Sequence, residues 1–381
     1  MNRILVIADD LTGAAEIAGI GRRFGLGTAL FRDPVAPPPG AGLFVYDTDS
    51  RGLSPADAAS RVASFAAAAG GQFDLVYKKC DSLLRGPVAA EVAAIMRALR
   101  QDSSILLPQN PSRGRTIDAH GVYRIDGAPI DQTEFAHDPD DPADTAVAAE
   151  LLARRSGGLA AGLLIRLHPA THAQDVLAAA GGVKPGLLPA GGADFFTALL
   201  QVGGHAESPP ATQGRLRAPK LLISGSGSRQ TSETIVQAIA DGDAVSRMPS
   251  RLFASRGTDA PGVASWAEEI AALLAVRPRV LVAIDRPVTR DRQLSTRLTG
   301  ILAELAGVLV RRMPIGALLL EGGATASGVC RRMAWNQFEV VAELAPGVVS
   351  LAPQSNEPAP VLIVKPGSYP WPAFVWPGNS V

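Results

Sequence analysis

The chain has 381 residues, 36 basic and 36 acidic with a formal net charge of zero, and 47% of it is apolar. That length suits two ordinary domains with a sizeable core, and the balanced charge offers no basic surface for nucleic acid. Cys80 and Cys330 are the two cysteines; far apart and without metal spacing, they exclude a disulfide framework and favour a reducing compartment. No run approaches the roughly 18 apolar residues of a membrane span, and acids interrupt the N-terminal apolar run too soon for a signal peptide. The expectation is a soluble cytoplasmic protein with no membrane partner.

In chain order, residues 1–8 (MNRILVIA) read as a buried strand that ends in Asp9 and Asp10, followed by Leu11, Thr12, Gly13 and a helix. A strand that ends in acids and turns into a helix is how an open parallel α/β sheet begins, and ligands bind at the carboxyl ends of such strands. Two carboxylates there are costly unless they meet water, a cation or a hydroxyl-bearing ligand. The plainer reading is that Asp10 or Thr12 caps the helix while Asp9 is solvated. GTALF (27–31) is a strand. LFVYDTDSR (43–51) repeats the opening theme, with Asp47, Asp49, Ser50 and Arg51 after an apolar strand. Ser54 and Pro55 start a helix to about residue 69. FDLVYKKCDSLLRG (73–86) is a strand ending in basic chemistry, 87–100 an amphipathic helix, and SSILLPQNP a further strand. Residues 111–142 change character, with a hairpin predicted around Asp126-Gly127. Helix and strand then alternate to residue 202, and 203–218 is a polar, Pro-rich linker.

The second half opens as strand, Gly/Ser loop and helix from residue 219. SRMPSRLF reads as a strand into a turn, further strand and helix pairs follow, and FEVVAEL, VVSLAP and PVLIVKPG close the chain as short strands. The expected fold is therefore α/β: two domains, 1–202 and 219–381, each a mainly parallel sheet covered by helices, with a ligand cleft between them.

Three strand ends in the second half carry small residues: Ser224 to Ser228 (SGSGS), Glu321 to Thr325 (EGGAT), and Lys365-Pro366-Gly367. Backbone N–H groups at such helix starts suit phosphate, although any single turn can need glycine for steric reasons alone. Neither a Walker A nor a Rossmann fingerprint is present. In the first half, Lys78, Lys79 and Arg85 bracket Asp81 and Ser82, and with Arg51 they suggest a carboxylate clamp. A solvated charged loop is the alternative. Arg113, Arg115 and the His120/Glu134/His137 region read as a lid or a subunit contact, leaving a homodimer open. Hydroxyl-binding acids in one domain and phosphate loops in the other have the layout of a small-molecule kinase.

The segments IADDLTGAAEIA (7–18), DTDSRGLSP (47–55), VYKKCDSLLRGPVAAEV (76–92), GRTIDAHGVYRIDGAPIDQTEFAHDP (114–139), ISGSGSRQTSE (223–233), EGGATASGV (321–329) and VKPG (364–367) occur in that order. Together they resemble the four-carbon acid sugar kinase family of D-threonate, D-erythronate and 3-oxo-tetronate kinases. The resemblance implies a sugar-acid-binding N-terminal domain, an ATP-binding C-terminal domain, Mg²⁺ and phosphorylation of the 4-hydroxyl. It places Asp10, Arg51 and Lys79, Cys80, Asp81 and Ser82 at the substrate, and Ser226, Gly322, Gly323, Ala324, Thr325 and Gly367 at ATP. With the residue-level reading it gives Asp10, helped by Asp9, the terminal hydroxyl, and Arg51 and Lys79 the substrate carboxylate, with Arg85 beside them. The family usually has Gly-Gly-Glu-Thr where this chain has Gly322-Gly323-Ala324-Thr325. That departure motivates a second expectation, a sugar-acid-binding sensor without catalysis; a lyase or isomerase acting on the same acids is a third.

Overall fold

The computed structural model describes residues 1–376 apart from 71, 139–140, 159, 161, 209–215, 226, 228, 255–258 and 285–290. The chain divides into two compact units, Met1–Pro209 and Pro210–Val381.

The first unit begins with β1 (Arg3–Ala8), whose residues are all buried after Arg3, as expected of a central parallel strand covered on both faces. Then follow α1 (Leu11–Arg23), β2 (Thr28–Phe31), β3 (Gly42–Asp47), α2 (Pro55–Ala69), β4 (Leu75–Lys79), α3 (Val88–Leu99) and β5 (Ser103–Leu107). An excursion carries the short strands β6 (Arg115–Ile117), β7 (Tyr123–Ile125) and β8 (Ala128–Pro129), after which α4 (Ala148–Arg155), β9 (Leu164–Leu167), α5 (Ala173–Gly181), β10 (Leu187–Gly191) and α6 (Ala193–Val202) complete the unit. The main strands run in the order β2-β3-β1-β4-β10-β5-β9 and pair in parallel. The chain moves from β1 to one side for β2 and β3, then to the other for β4. The carboxyl ends of β3, β1 and β4 thus lie side by side at a switch point, where open α/β sheets bind ligands. Ala8 is in register with both Asp47 and Lys79.

Local chemistry fixes these elements. Asp10 caps α1 by accepting a hydrogen bond from Gly13 N, and Ser54 caps α2 with Pro55 in the first turn, as such residues do at free helix N–H groups. In the excursion, Asp126 (φ 49°) and Gly127 (φ 85°) both turn left-handed between β7 and β8, the backbone required by a tight hairpin turn.

The second unit contains β11 (Lys220–Ser224), α7 (Arg229–Ala240), β12 (Ala244–Arg247), α8 (Ser250–Ala254), α9 (Ala260–Val276), β13 (Arg279–Ala283), α10 (Arg292–Arg312), β14 (Ala317–Glu321), α11 (Gly323–Arg332), β15 (Gln337–Ala345), β16 (Val348–Pro353) and β17 (Val361–Lys365). The order β12-β13-β11-β14-β17 is parallel; β16 and β15 then add on in antiparallel fashion. Residues 250–254, expected as part of a strand and turn, form the short helix α8 instead, because a chain leaving β12 through Met248-Pro249 satisfies its next N–H groups locally: Leu252 and Phe253 both donate to Pro249 O. Each unit is a mainly parallel sheet flanked by helices, as the alternation of elements predicts.

Candidate functional site

At the carboxyl ends of β3, β1 and β4 the sequence delivers acids and cations from three separate segments. Arg51, just beyond β3, donates from Nε to Asp9 Oδ2 at 2.7 Å and from its two terminal nitrogens to both oxygens of Asp10, at 3.0 and 2.7 Å. Its Nη1 also lies 3.7 Å from Asp81 Oδ1. Arg85 grips Asp81 with two bonds of 2.9 Å and reaches Asp138 at 3.4 Å. Arg115, from β6, donates to Ser82 Oγ.

The structure brings Asp9, Asp10, Arg51, Asp81, Ser82 and Arg85 together, and it changes what several of them can do. Asp9 is not solvated: it is 1% exposed. Burial works against its charge, yet the Arg51 guanidinium and the Lys78 ammonium hold its carboxyl below the ordinary range. Its Oδ1 is buried with no hydrogen-bond partner among the described residues. Asp10 accepts four bonds, from Gly13 N, Thr12 Oγ1 and twice from Arg51, which uses all the acceptor sites of a carboxylate. Burial likewise opposes the charge of Asp81, but Arg85 and Arg51 hold it well below the ordinary carboxylate range.

Two of the expected substrate residues have other surroundings than the sequence suggests. The Lys79 ammonium is not presented as a clamp: it is buried, donates to the Cys80 carbonyl at 2.9 Å and lies 3.5 Å from Glu16. Cys80 cannot offer its side chain to a ligand, because the thiol packs in the hydrophobic core, where burial pushes it up to about 12. Lys78 projects to the opposite side, as residues adjacent on a strand do, and pairs with Glu91 at 2.8 Å. Glu91 and Asp9 hold its ammonium above the ordinary range against the effect of burial. Ser50 donates to the same Glu91 and contacts Thr48 at 2.7 Å, so a buried polar layer supports the acids from below.

In the second unit, Ser224, Glu321 and Lys365 end the adjacent strands β11, β14 and β17 and lie in register with one another. The three small-residue turns are therefore neighbours. A Cβ on Gly225 would come within 2.3 Å of Thr325 Oγ1, so the first two turns are in direct contact. Gly322 (φ 93°) precedes α11, whose first turn holds Gly323, the exposed Ala324 and the buried Thr325. Gly367 follows β17. Ser226 lies outside the described residues.

Sequence reasoning missed the hub of this unit. Glu321, fully buried, accepts from Ser224 Oγ at 3.1 Å, from Thr231 Oγ1, and from Trp371 Nε1 at 2.7 Å, and it pairs with the buried Lys365 at 2.8 Å. Lys365 also sits 5.0 Å from the centroid of the Trp371 ring. Burial lowers its ammonium below the ordinary lysine range, with Glu321 offsetting part of the effect. The available signal was a charged residue closing each of two wholly apolar runs, ALLLE and VLIVK; such charges are buried only with partners.

Residues 4–182 match the sugar-binding N-terminal domain family, and residues 221–369 the nucleotide-binding C-terminal domain family. The chain is 28% identical over 395 residues to a D-threonate kinase of Salmonella typhimurium, covering 90% of this chain and 89% of that protein. It is 34% identical over 162 residues to a D-erythronate kinase of Heliobacterium modesticaldum, covering 41% and 37%. A crystal structure from Salmonella typhimurium LT2 shares the fold, with a TM-score of 0.76, 18% identity and 98% of each chain covered. A sugar-binding domain followed by a nucleotide-binding domain, in a chain whose curated relatives are kinases of four-carbon sugar acids, makes this protein a small-molecule kinase. The chain belongs to the four-carbon acid sugar kinase family.

Proposed function

We propose that this protein transfers the γ-phosphoryl group of ATP to the terminal (4-) hydroxyl of a four-carbon sugar acid of the threonate or erythronate type. The observation that carries the reading is the cluster of Asp9, Asp10, Arg51, Asp81, Ser82 and Arg85 at the switch point of a sugar-binding domain. In the reaction the bond from the γ-phosphorus to ADP breaks, a bond to the substrate oxygen forms, and the hydroxyl gives up its proton to the Asp10 carboxylate. Such transfer depends mostly on positioning and charge stabilisation. Asp10 is the acid that orients the hydroxyl. Its side chain is 12% accessible against 1% for Asp9, and the rotatable Thr12 hydroxyl is the donor a substrate hydroxyl would replace. Asp9 holds Arg51, which in turn fixes Asp10.

ATP is assigned to the second unit, on the backbone N–H groups of Gly323, Ala324 and Thr325 at the start of α11, with Gly367 after β17 and, from the sequence, Ser226. Helix-start N–H groups suit phosphate whatever the side chains. Glu321 is committed to four donors, and Ala324 brings no carboxylate, so the described residues at these turns offer Mg²⁺ no acid. With the described residues alone, Mg²⁺ would be a companion of the nucleotide, held by phosphates and water as this ion commonly is.

An ADP-release assay over D-threonate, D-erythronate and 3-oxo-tetronate, paired with calorimetry of Mg²⁺-ATP, tests the reading. Turnover of at least one acid is expected. Absence of nucleotide binding at millimolar ATP would overturn the kinase reading. The non-catalytic sugar-acid binder, which Ala324 favours, would then replace it.

A further inference from the structure

The cations at the switch point are largely neutralised by the protein's own acids. Arg51 is shared among Asp9, Asp10 and Asp81, Arg85 between Asp81 and Asp138, Lys78 is paired with Glu91, and Lys79 lies beside Glu16. A carboxylate arriving on a substrate must compete with acids that the fold holds permanently in place. Arg115 differs. Its Nη1 donates to the neutral Ser82 hydroxyl, its guanidinium lies 6.0 Å from the centroid of the Phe135 ring, and no carboxylate pairs with it among the described residues. One bond to a hydroxyl uses one of its five donors. The planar fork that binds a carboxylate with two bonds remains available, and the nearby aromatic face favours the cation.

The backbone that carries Arg115 is fixed. Gly114 is left-handed (φ 65°), and a Cβ there would meet Asp126 Oδ1 at 2.0 Å, so only glycine fits. Asp126 N donates to Gly114 O at 2.8 Å, and Arg115 pairs with Ile125 in the β6–β7 ladder. The guanidinium is thereby held over the loop after β4, where Asp81 contacts Arg51 and Arg51 in turn holds Asp10.

We infer that Arg115 binds the substrate carboxylate, in place of the Arg51 and Lys79 expected from the sequence. This deepens the sugar-acid reading proposed above and rests on it. The excursion, otherwise an appendage to the sheet, supplies the group that distinguishes an acid from a neutral sugar.

The test is calorimetric binding of D-threonate and of its uncharged amide, D-threonamide, to the wild-type protein and to Arg115→Gln and Arg115→Lys, with thermal melting as a check on folding. Wild type should prefer the acid. Arg115→Gln should weaken the acid by on the order of 10- to 100-fold, the loss of a charge-assisted pair, leave the amide nearly unchanged, and so bring the two affinities together. Arg115→Lys, which keeps the charge without the fork, should fall between. Equal weakening of acid and amide would show a structural pin to Ser82 and overturn the inference, and so would an unchanged preference for the acid in Arg115→Gln. If wild type binds neither D-threonate nor D-erythronate, the sugar-acid reading falls and takes this inference with it. Wild-type binding with an indifferent Arg115→Gln sinks the inference alone.

Discussion

Glu321→Gln isolates one buried charge in the second unit. In the native protein, Oε1 of Glu321 accepts the Ser224 and Thr231 hydroxyls, and Oε2 accepts Trp371 Nε1 and pairs with Lys365 Nζ. A glutamine can direct its oxygen toward Trp371 and Lys365 and its NH₂ toward the two hydroxyls, which can turn to accept. Every hydrogen bond then survives, and only the compensation of Lys365 is lost. Leaving one member of a buried pair uncompensated costs roughly 3–5 kcal/mol. Lys365 can escape by losing its proton. Its ordinary value is 10.5 and burial already lowers it in the fold, so in the variant the unfolded chain binds more protons than the native one. Stability must therefore rise with pH, and the gap to wild type should narrow by up to about 1.4 kcal/mol per pH unit as pH rises from the lowered folded value toward the ordinary one. The four tryptophans, Trp266, Trp335, Trp371 and Trp376, all belong to the second unit and are buried, so urea unfolding followed by tryptophan fluorescence reports this unit selectively. A double variant with Lys365→Met should recover much of the loss. A Glu321→Gln protein within about 1 kcal/mol of wild type at neutral pH, or a gap insensitive to pH, would refute the reasoning.

Asp10→Asn keeps an equally good helix cap but turns an NH₂ toward Arg51; turnover should fall by at least about 10²-fold with the fold intact, and activity within about tenfold of wild type would remove Asp10 from the reaction. Arg51→Ala strips three carboxylates of their shared cation, so urea denaturation should show a loss of about 3–5 kcal/mol besides a raised KM for the acid; a variant as stable as wild type contradicts the network. Asp81 is held well below the ordinary carboxylate value of 3.8 in the fold. Its contribution is therefore complete above about pH 4 and is lost as pH falls through the depressed value. Asp81→Asn should flatten the decline of melting temperature below about pH 4, and an unchanged slope would assign the acid sensitivity elsewhere.

The sequence alone determined whatever depends on neighbours in the chain. The apolar run of β1 ending in Asp9 and Asp10, the capping of α2 by Ser54, the hairpin at Asp126-Gly127 and the three small-residue turns of the second half are all local. Each follows from periodicity, capping or backbone freedom within a few residues. The same information placed the first cluster at strand ends, where an open sheet binds ligands. Only the tertiary structure decided which charges meet. Arg51 finds Asp9 and Asp10 across 42 and 41 residues, Glu321 finds Ser224 across 97 and Trp371 across 50, and Arg115 reaches Ser82 across 33. These pairings turned Arg51 from a free clamp into the partner of three acids, buried Lys79, and left Arg115 with no acid opposite it among the described residues. The physical reason is that a buried charge must be matched wherever the fold brings a counter-charge close, and that proximity is set by strand order and not by spacing along the chain.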